Sequence, residues 1–133
     1  MNLDALPRDR FGRIILGPSI YHGIFWDMGH QRWRVRITLV THHFYIGHFR
    51  LLDEVSAARA YDNAAWWLQD FKKPGTTKLN FPEDPPRPML PKVRRARAIA
   101  LALEYPRYRP PFPDFVAPPD DAVWPALPPS YRV

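Results

Sequence analysis

Arg32-Trp33-Arg34-Val35-Arg36-Ile37-Thr38-Leu39 alternates basic or polar residues with apolar ones at every step. A period of two sends the two sets to opposite faces of a β-sheet. Trp33, Val35, Ile37 and Leu39 then face a core, while Arg32, Arg34, Arg36 and Thr38 line the other face, with like charges about 7 Å apart by strand rise. Guanidinium forks of this kind can grip phosphates or the edges of guanine, and an antiparallel sheet carrying them on its uncovered side fits the DNA major groove. The alternative is a solvated arginine face that serves solubility alone.

Other chemistry finds little support. The chain has no cysteine, which excludes disulfides and thiolate metal sites and agrees with a reducing compartment. His42 and His43 invite a zinc reading, but neighbours in a strand point to opposite faces and do not share an ion. Asp27, Asp53 and Asp62 are spread over turn and helix, so no metal-dependent nuclease centre is expected. Neither an enzyme nor a bound cofactor is expected.

The elements that must position the arginines are readable around them. Ile20–Trp26 reads as a first strand, Gly29-His30-Gln31 as a turn, and His42–Ile46 as a third strand ended by Gly47. Asp53 is the candidate N-cap of a helix over 54–70, with Ser56 where a capping box prefers glutamate. Ala57, Tyr61, Ala64, Leu68 and Phe71 recur at spacings of four and three, so they share one side, and Pro74-Gly75 stops the helix. Small alanines let that helix approach the sheet, and Trp33, Phe44 and Ile46 fill the gap. The expected fold is α+β, a three-stranded antiparallel sheet packed on one helix.

A chain of 133 residues holds one small domain with appendages. Its formal net charge of +6 favours an acidic partner, nucleic acid first. No apolar run is long enough to span a membrane, and the first nineteen residues read as an extension with neither a secretory signal nor a typical transit peptide. Fourteen of the 17 prolines lie from Pro82 onward, which sets a domain of 20–82 against a proline-rich tail of 83–133. Within the tail, Lys92–Glu104 reads as a short basic helix, with Val93, Ala96, Ile99 and Leu103 on one side and Arg94, Arg95 and Arg97 on another. It suits an import signal, a phosphate clamp or a bracket folded onto the domain. Beyond it, Phe112, Phe115, Trp124 and Leu127 alternate with Asp114, Asp120 and Asp121, the pattern of a segment that captures co-regulators or of one packed along the domain.

Four motifs stand in order: Tyr21-His22-Gly23-Ile24, Tyr45-Ile46-Gly47-His48-Phe49, Ala57-Ala58-Arg59-Ala60-Tyr61-Asp62-Asn63-Ala64-Ala65-Trp66 and Leu79-Asn80-Phe81-Pro82. In these the stretch Tyr21–Pro82 resembles the Apetala-two/ethylene-response-factor DNA-binding domain of plant transcription factors, a domain that also occurs beside homing-type nucleases. The resemblance implies a sheet laid in the major groove of double-stranded DNA, a nuclear location and a role in transcription regulation. It also nominates positions: His22, where the family commonly has arginine; Trp26; Arg32, Arg34, Arg36 and Thr38; and His43 and Tyr45, where arginine and tryptophan usually stand. Ile24–Gly29 lacks the first-strand arginines of the family, and Arg50-Leu51-Leu52 is about two residues longer than its usual connection. The usual GCC-type target therefore does not carry over. A second class of function stays open, a non-catalytic adaptor or structural subunit that binds RNA or protein in a larger assembly.

Overall fold

The computed structural model describes residues 3–73 and 75–108, so the aromatic-acidic stretch from Pro110 onward lies outside the described residues. Three antiparallel strands follow one another in space as in sequence: β1 (Ile24–Asp27), β2 (Arg32–Leu39) and β3 (His42–Phe49). Helix α1 (Glu54–Trp67) crosses one side of the sheet, and α2 (Pro91–Ala102) packs against both β3 and α1. The architecture is α+β, with the sheet on α1 as the alternation and the alanine spacing dictate.

Trp33, Val35, Ile37 and Leu39 are all buried. They share one core with Ala57, Ala58, Ala60, Ala64 and Ala65, each fully buried on α1, and the absence of long side chains there brings the helix axis close to the sheet. Each Val, Leu or Ile removed from water in this layer contributes about 1.5–3 kcal/mol.

The first strand begins at Ile24, not Ile20. Gly23 has φ +75, and a Cβ on it would overlap the Tyr61 ring, so the chain turns here against α1. Asn80 then staples the turn: its Oδ1 accepts from His22 N–H at 2.7 Å, and its Nδ2 donates to the carbonyls of His22 and Ala58. Asp62 in turn accepts from the backbone N–H groups of Asn80 and Phe81 at 2.7 and 2.8 Å, and burial pushes its carboxyl above the ordinary value. The Leu79–Pro82 motif is thus a clasp between the start of the sheet and the middle of α1.

Helix α1 is entered through a 3-10 turn at Leu51–Asp53, and Asp53 makes no side-chain capping bond. The α-helix ends at Trp67, and a tighter 3-10 turn over Gln69–Phe71 carries the chain onward with Phe71 buried.

The boundary expected at Pro82 does not divide the core. Met89, Leu90, Val93, Ala96 and Ala100 are buried in it, and Asn63 holds the approach to α2 by donating to the Pro88 carbonyl and accepting from Leu90 N–H, both at 3.0 Å. The basic helix is folded onto the domain as a bracket, against β3 and α1. Its buried stripe is Val93, Ala96, Arg97 and Ala100, whereas Ile99 and Leu103 are exposed. Arg97 turns inward because Asp70 meets its guanidinium bidentately at 2.7 and 2.9 Å and the Trp67 carbonyl accepts a third bond at 2.8 Å. The N-terminal extension is also tied down: Ile14 N–H donates to Gln31 Oε1, and its carbonyl accepts from Gln31 Nε2 and Trp26 Nε1.

Breaking a buried ion pair strands a charge, so Arg97→Ala is expected to lower the unfolding free energy by about 3–5 kcal/mol, while the volume-matched double change Arg97→Met/Asp70→Leu costs much less. Urea denaturation followed by circular dichroism checks both; equal losses in the two variants would contradict the pairing.

Candidate nucleic-acid interface

The uncovered side of the sheet carries Phe25 and Asp27 from β1, the polar row of β2, and His43, Tyr45 and His48 from β3. Register sets the neighbours: Arg34 lies between Phe25 and His48, Arg36 beside Tyr45, and Thr38 beside His43. Thr38 Oγ1 and His43 Nδ1 share a hydrogen bond at 2.7 Å. Arg32, at the start of β2, donates to the Gln31 carbonyl and also borders a groove with Leu3, Ile14 and Arg50.

Aromatic rings hold the two central guanidiniums. Arg34 lies 3.7 Å from the centroid of Tyr45, and Arg36 lies 5.1 Å from that of Phe25. Beyond Arg36 the face continues into a shallow cavity bordered by Thr38, Tyr61 and Lys72, so a fourth cation adjoins the row. Burial of Lys72 holds its ammonium below the ordinary value of 10.5. The result is a cationic strip interleaved with rings, which offers forked donors to anions and flat surfaces to sugars or bases.

A bulge decides what β3 contributes. Val35 pairs with Gly47 but Arg36 pairs with Tyr45, which leaves Ile46 as the extra residue. Without it, strict alternation after Tyr45 would send His48 inward and Phe49 outward. With it, His48 stands on the outer face and Phe49 is buried. Asp27 faces this end of the strip: its Oδ2 is 2.8 Å from His30 Nδ1, 3.7 Å from Arg34 Nη1 and 3.8 Å from His48 Nε2. The hydrogen bond from the His30 ring holds the Asp27 carboxyl below the usual carboxylate range, with the charge of Arg34 as a smaller cause. Burial pushes the His48 imidazole down from 6.5, and the nearby Arg34 charge adds to it.

Two nominated residues lie elsewhere. Trp26 belongs to the inner side: it packs edge-on to Trp33, with ring centroids 5.2 Å apart, and its Nε1 donates to the Ile14 carbonyl at 2.9 Å, because alternation in β1 turns Ile24 and Trp26 inward and Phe25 and Asp27 outward. His22 precedes β1, in the turn clasped by Asn80, outside the ladder of paired strands. His42 and His43 do face opposite sides, His42 stacking on Phe44 and hydrogen-bonding Tyr105. Sequence reasoning passed over Phe25, His30 and His48, set Asp27 aside with the scattered aspartates, and gave Lys72 only a diffuse attraction to phosphate. A glycine inside an otherwise regular strand, Gly47, is the signal that would have announced the bulge and with it His48.

The bulge fixes a contrast between adjacent residues. Phe49→Ala is expected to cost about 3–5 kcal/mol of stability as a core truncation, whereas His48→Ala stays within about 0.5 kcal/mol as a surface change. Denaturant midpoints of the two variants check this, and the reverse ranking would rule out the bulge. No family model matches the chain, and no curated protein and no solved structure matches it, so the functional reading of this face rests on its own chemistry.

Proposed function

We propose that the chain binds double-stranded DNA through the outer face of its sheet and regulates transcription, as a divergent member of the Apetala-two/ethylene-response-factor family acting in the nucleus. The observation that carries this reading is the pair Arg34 and Arg36, held outward and seated on Tyr45 and Phe25, on a sheet whose reverse side is sealed by α1. A guanidinium already seated on a ring loses less rotamer freedom on docking, so more of its contact energy remains for the partner. The major groove, about 12 Å wide, admits an element of this breadth. There Arg34 and Arg36 take guanine O6 and N7 or phosphate oxygens, Thr38 and His43 reach adjacent acceptors, Tyr45 and Phe25 lie against sugars or thymine methyls, and Lys72 serves the backbone.

Asp27 favours a second reading. A carboxylate at one end of the strip faces phosphate unfavourably, and the first strand supplies no arginine. An adaptor that docks protein or RNA on the same surface accommodates both features.

Selection from a randomised duplex pool across a salt series separates the two. The DNA reading expects an enriched motif, loss of at least about 30-fold in affinity for Arg34→Ala/Arg36→Ala at about 1–3 kcal/mol per base contact, and for Lys72→Ala a weaker, sequence-independent loss with a salt slope shallower by about one. Binding without motif enrichment, unchanged in the double variant, would contradict sheet-face recognition.

A further inference from the structure

The turn between β1 and β2 gathers three groups that the arginine pair does not need. Asp27 ends β1, His30 sits in the turn, and His48 reaches the same point from β3 because of the Ile46 bulge. One carboxylate oxygen and one nitrogen from each imidazole lie within 4.8 Å of one another, the one such cluster among the described residues. The two imidazole rings stack at 5.4 Å with 28° between their planes.

These separations suit a metal ion. Tetrahedral zinc with bonds of about 2.0–2.1 Å keeps its ligand atoms about 3.3 Å apart. The two distances to Asp27 Oδ2, 2.8 Å from His30 and 3.8 Å from His48, bracket that value. Small side-chain rotations close the set, and the His30 side chain is 71% accessible and free to make them. The frame around it is fixed. Gln31, at φ 55, donates its N–H to the Asp27 carbonyl at 2.8 Å, and its amide bonds to Met28 and to both backbone groups of Ile14. Asp27 Oδ1 further accepts from His30 N–H at 3.2 Å. Two imidazoles and a carboxylate form a borderline donor set that selects zinc, nickel, cobalt or copper over magnesium or calcium.

We propose that Asp27, His30 and His48 bind one divalent transition-metal ion of the zinc class, with a fourth position open to water or to an anion. Arg34, 3.7 Å from Asp27 Oδ2, opposes a dication but gives a phosphate or hydroxide in the fourth position a second partner. The ion ties the β1–β2 turn to β3 across the strip. The site stands apart from the DNA reading and does not require it. It also differs from the expectation drawn from sequence, which placed Asp27 with the other aspartates and asked only whether His42 and His43 share an ion.

The test is calorimetric titration of the chelator-treated full chain with zinc chloride, alongside cobalt(II) absorption. One equivalent is expected, with visible cobalt bands of four-coordinate intensity. His30→Ala and His48→Ala each weaken binding at least about tenfold, since even outer-shell changes cost about 10–100-fold, Asp27→Asn does the same, and His43→Ala leaves it unchanged. These histidines are exposed, so thermal melts that stay near wild type confirm that the variants fold. No zinc uptake, or uptake that persists in both His30→Ala and His48→Ala, would overturn the site, and neither result bears on DNA binding, which is read separately by the duplex selection.

Discussion

Helix α1 contributes five fully buried alanines to the core it shares with the sheet, and the closeness this permits locks β2 with Trp33, Val35, Ile37 and Leu39 inward. A strand locked in that phase has no freedom over its other residues: Arg34, Arg36 and Thr38 must point away from the core. The same contact makes Gly23 necessary, since the chain entering β1 passes so near Tyr61 that no side chain fits. From it also follows the clasp of Asp62 and Asn80, which fastens the two ends of the Tyr21–Pro82 stretch to the helix that seats the sheet.

A three-stranded sheet on one helix buries little by itself, and the structure adds a second cover. The segment through Asn63's partners, Pro88 and Leu90, and then α2, close the side of α1 that the sheet leaves open. That is why alanines on more than one face of α1 are buried, and why Trp67, which would otherwise lie at a surface, donates its indole N–H to the Arg87 carbonyl. The Arg97–Asp70 pair sits at the centre of this second interface. A shift of α2 along its axis would leave two buried charges unmatched.

The sequence spoke most plainly where one periodicity ruled alone. Residues 32–39 alternate without exception, and β2 has those bounds and that burial. Helix α1 was legible from its alanine spacing, although its last predicted turn tightens into a 3-10 turn after Trp67. Where a tertiary contact overruled a local rule, the reading missed. Ile20–Gly23 is rich in β-formers, but the glycine kink and the Asn80 clasp keep it out of the sheet. Arg97 looked like a solvent-facing residue because charge is read as exposed until a partner is known, and Asp70 lies on a different element. His48 was hidden by a shift of one residue in β3, and of the two readings open for Trp26, a nucleic-acid contact or closure of the core, β1 takes the second by turning it toward Trp33. The composition change at Pro82 marks a change of chain style, not the edge of the core.

The outer sheet face is the surface proposed to meet nucleic acid. Backbone amide chemical shifts of the labelled protein, followed as a mixed-sequence DNA duplex is added at low salt, where even non-specific binding is strong enough to see, test it most directly. Shifts are expected to concentrate at Phe25, Arg34, Arg36, Thr38, His43 and Tyr45, with Lys72 at their margin and the far side of α1 and α2 silent. Shifts confined to the helices, or none at all, would contradict it.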